Sequence, residues 1–211
     1  MADLGEREME DLICTVEEGF QHCSLEREGY EFFDLDKIPF TSSEWSRLTQ
    51  LMDEKQALFT RVYVGDTTEA SSLSVLRVKN PDNANILHQE LMNLVGSKKM
   101  IDFYRKICKN ENLVIDRCQA HIYKEGDFIS YHVDRESYSG YLYSLLFYIS
   151  DDYAGGEMVM YIDGKACKFN IPKGTLLLAD SSIPHEVLPV KSGVRKTVAV
   201  FLMEKTGKNG H

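Results

Sequence analysis

The amino-acid sequence predicts an α+β fold that is mainly β: a double-sheet β-barrel of jelly-roll type, with N-terminal helices supporting one sheet from outside. Three observations predict it. From about residue 113 the chain breaks into about eight short β-rich runs at close spacing. Turn chemistry separates them, as in Lys124-Glu-Gly126, Gly155-Gly156, Asp163-Gly164 and Pro172-Lys-Gly174. The first hundred residues instead carry apolar stripes at helical spacing. Many short strands must bury a face and hide their edges, and closing into two facing sheets does both.

Taken in order, Leu12, Ile13, Val16 and Phe20 form a first helical stripe. Thr41-Ser-Ser-Glu44 has capping-box spacing before Trp45, Leu48 and Leu51, so a second helix starts there. A third is expected over 84–95, ended by Gly96, and Ile101, Tyr104 and Ile107 mark a fourth. Between them, 59–64 reads as a strand and 65–72 as a polar loop. The β-rich runs are 113–123, 129–133, 141–149, 157–162, 168–171, 175–179, 185–190 and 196–203. Residues 205–211 read as a frayed tail. The expectation is a single domain over 1–211, with 1–110 a mainly helical support region, 113–203 the barrel core and 204–211 a flexible tail.

Composition narrows the partners. The 33 acidic and 24 basic residues give a formal charge of −9, a field that repels nucleic acid phosphates and anionic lipid. Neither nucleic acid nor membrane is therefore an expected partner. The five cysteines, Cys14, Cys23, Cys108, Cys118 and Cys167, form no CxxC pair and are odd in number. Reduced thiols fit better than a disulfide framework or a zinc knuckle. The acidic start MADLGEREMEDL is unlike a signal peptide, and no apolar run approaches the ~18 residues that span a bilayer. The expected location is cytoplasmic, with the nucleus as the alternative.

The chemistry concentrates in the β half. On a strand, His132 and Asp134 leave the same face and can reach one ion. His185 opens another predicted strand and must fold beside them. Two imidazoles and one carboxylate form the facial triad of non-heme Fe(II) oxygenases, which keeps coordination positions open. HxD with a distant histidine also arises by chance, the alternative being hydrogen-bonded core histidines. Arg195 adds weight: it shares one face of an apolar strand with Thr197, Ala199 and Phe201. An inward arginine requires a partner or an anionic ligand.

The segments Tyr123-Lys-Glu-Gly-Asp-Phe-Ile-Ser-Tyr-His-Val-Asp134, Leu146-Phe-Tyr148 through Gly155-Gly156-Glu157, Pro172-Lys-Gly174, Pro184-His185 through Val190, and Gly193-Val-Arg195 follow one another in a set order. Over about 114–203 this pattern resembles the Fe(II)- and 2-oxoglutarate-dependent dioxygenases, particularly the prolyl hydroxylase-like branch, whose core is a double-stranded β-helix. The resemblance implies that His132, Asp134 and His185 hold Fe(II), that Arg195 pairs with the distal carboxylate of 2-oxoglutarate, and that Tyr148 and Tyr123 assist it. Alternation places Leu142, Ser144, Leu146 and Tyr148 on one face. The implied cosubstrates are 2-oxoglutarate and O2, with ascorbate as an optional reductant.

The expected activity is hydroxylation of an aliphatic C–H, prolyl or similar, in a protein or peptide, with release of succinate and CO2. The alternatives are a free amino acid or small metabolite as substrate, and a catalytically silent barrel serving as a binding module. Substrate choice is expected to lie in 135–140 and in a lid over 65–80, with Arg135 either holding a substrate carboxylate or simply solvated. Gly155 and Gly156 carry no catalytic expectation; His121 alternates with Tyr123 and either faces the barrel or is structural, while His22, His88 and His211 fit no ligand pattern.

Overall fold

A computed structural model of the chain describes residues 14–15, 24–54, 59–64, 71–78 and 86–205. The stripe from Leu12 to Phe20, most of the 65–72 loop and the tail after 205 lie outside the described residues, apart from the short strand β1 (Cys14–Thr15). The chain then runs α1 (Leu25–Glu28), β2 (Tyr30–Asp34), a 3-10 turn, α2 (Ser42–Glu54), β3 (Thr60–Val64), β4 (Ser71–Val78), α3 (Ile86–Val95) and α4 (Lys98–Ile107). The barrel half follows with β5 (Leu113–Tyr123), β6 (Phe128–His132), α5 (Asp134–Ser137), β7 (Tyr141–Tyr148), β8 (Tyr153–Gly155) and β9 (Met158–Ile162). It ends with β10 (Lys165–Phe169), β11 (Thr175–Asp180), β12 (His185–Val187), β13 (Val190–Gly193) and β14 (Arg195–Glu204).

The main sheet runs β1-β10-β9-β12-β6-β4-β5-β14-β7-β11-β2, with β3 on β4, while β8 and β13 pair separately. Its two ends meet. Tyr30 and Phe32 of β2 lie 5.6 and 5.4 Å, centroid to centroid, from Phe169 of β10. Tyr123, Tyr148, Met158, Met160, Leu177 and Val187 join them in one apolar cluster drawn from both halves of the path, the barrel interior. The fold is the mainly β jelly roll that the spacing of turns predicts.

The opposite face of β5, β14, β7 and β11 packs on helices. Cys118, Ala120, Ile122, Val198, Val200, Leu145, Phe147, Leu176 and Leu178 meet Leu48 and Leu51 of α2, Leu91 and Val95 of α3, and Met100 and Tyr104 of α4. These strands are therefore covered on both faces, and their alternation is apolar outside and mixed inside. Lys196 points away from the interior, and its ammonium pairs with Asp53 of α2.

Several expectations change. The region up to 110 supplies strands as well as support: β2 pairs β11 and β4 pairs both β5 and β6. The expected lid over 65–80 is a sheet member from Ser71 to Val78. The 185–190 run is two strands, because Leu188 and Pro189 interrupt it before β13. A register shift between Leu202 and Met203 breaks the alternation at the start of β7. Tyr141 stacks on Phe201 of the inner face, whereas Leu142 packs toward the helix side.

Candidate active site

β6 and β12 are antiparallel neighbours, and their register sets His185 opposite His132. The two rings lie 4.2 Å apart, centroid to centroid. Asp134 is not on the strand: β6 ends at His132, and Asp134 opens the short turn α5. Val133 stays extended (φ −126°, ψ 121°), which preserves the side-chain alternation and brings Asp134 back toward the histidines. Its Oδ1 is 3.6 Å from His132 Nε2 and its Oδ2 3.7 Å from His185 Nε2. One ligand atom from each residue lies within 4.8 Å of the others.

Backbone carbonyls fix the tautomer. His132 Nδ1 lies 2.9 Å from the Ser130 carbonyl and His185 Nδ1 2.9 Å from that of Ile183. A carbonyl only accepts, so each Nδ1 carries a proton and each Nε2 is the ring nitrogen turned toward Asp134. Burial holds the His185 imidazole below its usual range against the pull of Asp134, with His132 acting the same way as burial. Burial pushes the Asp134 carboxyl up, but His185, His132 and the Ser144 hydroxyl outweigh it, and it stays well below the carboxylate range. Neutral imidazoles and an ionised carboxylate are the donor set a divalent cation requires.

Arg195 opens β14 opposite Tyr123 and is fully buried. Its guanidinium sits 4.7 Å over the Tyr123 ring and 5.2 Å over that of Tyr148. Nη2 donates to the Tyr148 hydroxyl at 3.4 Å, while Nε and Nη1 are buried without a partner. Among the described residues no carboxylate pairs with it. The Thr197 hydroxyl, two residues along the same face, is also buried without a partner. Burying an unmatched guanidinium costs several kcal/mol. The donors fit an anion that lies along this face.

The sequence reading does not single out Tyr153, which completes a ring of three tyrosines around Arg195. Burial raises the hydroxyls of Tyr123, Tyr148 and Tyr153, so all three remain neutral donors. Tyr153 and the glycine pair reach the site through the antiparallel pairing of β8 with β13. A Cβ at Gly156 would stand 3.0 Å from Arg195 Cδ and 2.9 Å from Val190 Cγ2, so the glycine admits the arginine stem. The only clue in the sequence is the position of Tyr153 just before Gly155-Gly156.

Other candidates have structural roles. Arg135 donates from Nε to the Tyr141 carbonyl at 2.9 Å and pairs with Asp180 at 3.3 Å, a half-exposed contact that ties β7 to β11. His121 is buried beside Gln119, 3.0 Å from its Oε1. Cys108 and Cys118 are free thiols, and burial pushes that of Cys108 up to about 12.

Residues 118–203 match the 2OG-Fe(II) oxygenase superfamily. No curated protein matches the chain. Among solved structures, an oxidoreductase of the 2OG-Fe(II) oxygenase family from Burkholderia pseudomallei is similar at TM-score 0.76 and 22% identity, over 94% of this chain and 97% of that one. A Trichoplax adhaerens prolyl hydroxylase, solved with a hypoxia inducible factor peptide fragment, is similar at TM-score 0.65 and 18% identity, over 85% and 86% of the two chains. A non-heme alpha-ketoglutarate-dependent epimerase from nogalamycin biosynthesis is similar at TM-score 0.62 and 10% identity, over 89% and 88%. At these identities the solved structures share the fold, while the family match covers the segment that holds His132, Asp134, His185 and Arg195. Over that segment, less than half of the chain, the sequence is similar to the 2OG-Fe(II) oxygenase superfamily, a class of oxidoreductase enzymes.

Proposed function

We propose that this protein is an Fe(II)- and 2-oxoglutarate-dependent hydroxylase acting on an aliphatic C–H of a prolyl or similar side chain, as a single catalytic domain. The observation that carries the reading is the pairing, inside one barrel, of a His-Asp-His cluster with a fully buried guanidinium that has no carboxylate partner among the described residues. His132, Asp134 and His185 would hold the metal. Arg195 would receive the distal carboxylate of 2-oxoglutarate, with Tyr148 and Tyr123 as hydroxyl donors.

When bound, the metal and cosubstrate supply the oxidation that places one atom of O2 on the substrate carbon and leaves succinate and CO2. The chain's own residues bind and orient. The Ser130 and Ile183 carbonyls hold both imidazole planes, the Ser144 hydroxyl steadies Asp134, and the apolar interior around Met158, Met160 and Val187 excludes water. The prolyl reading draws support from the likeness to the Trichoplax enzyme.

The test measures succinate formed with Fe(II), O2 and 2-oxoglutarate across prolyl peptides and free amino acids, with mass spectrometry for a gain of one oxygen atom. Substrate-dependent succinate with a matching oxygenated product supports the proposal. Equal succinate from His185→Ala, or no oxygenated product anywhere in the panel, overturns it.

A further inference from the structure

The inner face of the barrel carries a second cation without a carboxylate partner among the described residues, midway along β5 and six residues before Tyr123. Alternation sets Arg117, Gln119, His121 and Tyr123 on one face, and the pairing of β5 with β14 places Arg117 opposite Phe201 as it places Tyr123 opposite Arg195. The Arg117 guanidinium lies 4.5 Å over the Phe201 ring and 5.2 Å over that of Tyr141. The rings are themselves stacked at 5.0 Å. Arg117 Nε is buried without a hydrogen-bond partner, and among the described residues no carboxylate pairs with this arginine. The neighbouring Asp116 carboxylate accepts from the Tyr141 hydroxyl at 3.0 Å. Burial pushes that hydroxyl up to about 12, so it stays a donor.

The row across the strands locates this cation. Phe201 pairs with Ser144 of β7, and the Ser144 hydroxyl bonds to Asp134. Arg117, Phe201 and Ser144 thus form one transverse row ending at the candidate metal ligand, two strand spacings or roughly 10 Å long. An arginine stem reaches inward over roughly half of that distance. What remains is a few ångströms, the separation between a carboxylate and a side-chain carbon within one amino acid.

We propose that Arg117 is the substrate's carboxylate receptor, so that the enzyme acts on a small carboxylic acid of amino-acid size. The proposal deepens the hydroxylase reading and rests on it. The two aromatic faces hold the guanidinium plane in place while leaving its in-plane N–H donors free for a carboxylate. Arg135, the other arginine near the site, is engaged by Asp180 and Tyr141. The polarity of the interior is then double: Arg195, opposite the last residue of β5, would serve the cosubstrate, and Arg117, midway along β5, the substrate.

The test loads the full-length protein anaerobically with Fe(II) and 2-oxoglutarate and follows the metal-to-ligand absorbance band as probes are added. The probes are the free L-amino acids including L-proline, the matching L-amino acid amides, and N-acetyl-L-proline methylamide. At least one free acid is expected to perturb the band with an affinity roughly tenfold to hundredfold above that of its own amide. Arg117→Gln should form the unperturbed band normally yet lose that preference, and Arg117→Lys should recover part of it. Melting both variants identifies any loss that is only structural. Amides or the capped proline binding as well as free acids, a preference that survives in Arg117→Gln, or no free acid perturbing the band would overturn the proposal. Failure of the band to form in the wild type would instead overturn the cofactor reading on which it rests.

Discussion

Replacing Arg195 by alanine would leave the distal carboxylate of 2-oxoglutarate without its partner, a loss of about 3–5 kcal/mol by analogy with broken buried pairs. The affinity for 2-oxoglutarate should fall by roughly two to three orders of magnitude, while metal affinity stays near wild type. Arg195→Lys should recover only part of it, because an ammonium lacks the planar fork. An anaerobic titration of the metal-to-ligand band reads both. If Arg195 were a purely structural cation, alanine would lower the melting temperature and leave the titration unchanged. His185→Ala fails differently, weakening the metal itself, since Asp134 and His132 alone cannot fix the open face. Gly156→Ala probes positioning. The new methyl would press on Arg195 Cδ and Val190 at a φ of +66°, a conformation that costs an L-residue about 1–2 kcal/mol. It should weaken 2-oxoglutarate binding without changing metal affinity, and a wild-type cosubstrate titration would show that the arginine stem needs no such room. His132, Asp134, His185 and Arg195 were legible in the sequence because chelating and charged residues on apolar strands are conspicuous. Tyr153 and the role of Gly156 were not, because both depend on the long-range pairing of 153–155 with 190–193.

At the start of α2 the expected capping box is present. The Thr41 amide donates to Glu44 Oε2 at 2.7 Å, and the Glu44 amide donates to Thr41 Oγ1 at 3.2 Å. Thr41→Ala should cost about 0.5–2 kcal/mol of stability, read from denaturant midpoints. The Lys99 ammonium of α4, then the Thr41 amide and hydroxyl, hold the Glu44 carboxyl down to about 2 from 4.5. A depressed carboxyl contributes above its unfolded value and loses that contribution as pH falls toward the folded one. The contribution of Glu44 should therefore be full above about pH 4.5 and fade toward about pH 2, and a Glu44→Gln variant should flatten the acid limb of the stability curve in that window. An unchanged limb would mean that solvent screens the pair completely. Elements with strong local signals, such as α2 and β5, stand where the sequence places them. β2 and β4 were hidden. Tyr30-Glu-Phe-Phe-Asp34 is short and flanked by acids, and serines break the apolar run of Ser71–Val78, so only pairing with distant strands reveals either.

For the whole molecule, ligand and fold are linked through the barrel interior. Fe(II) with 2-oxoglutarate at a hundredfold excess over its dissociation constant should add about 2.7 kcal/mol of stability. In a chain of this size that is roughly a 5–10 °C rise in melting temperature. Arg195→Ala should keep the increment from metal alone and lose the further increment from 2-oxoglutarate, and equal shifts in both proteins would place the cosubstrate elsewhere. The carbonyl-anchored histidines carry a last consequence. Because the Ser130 and Ile183 carbonyls and the β6–β12 pairing hold both imidazoles, the proposed metal cage would perform little selection of its own. Affinity for divalent ions at such a nitrogen and oxygen set rises from iron through nickel to copper and then falls at zinc. Mismetallation is thus built into the chain: protein purified without iron supplementation should carry nickel or zinc and be inert until chelated and reloaded. The identity of its metal is then decided by the cell's supply and not by the ligands themselves.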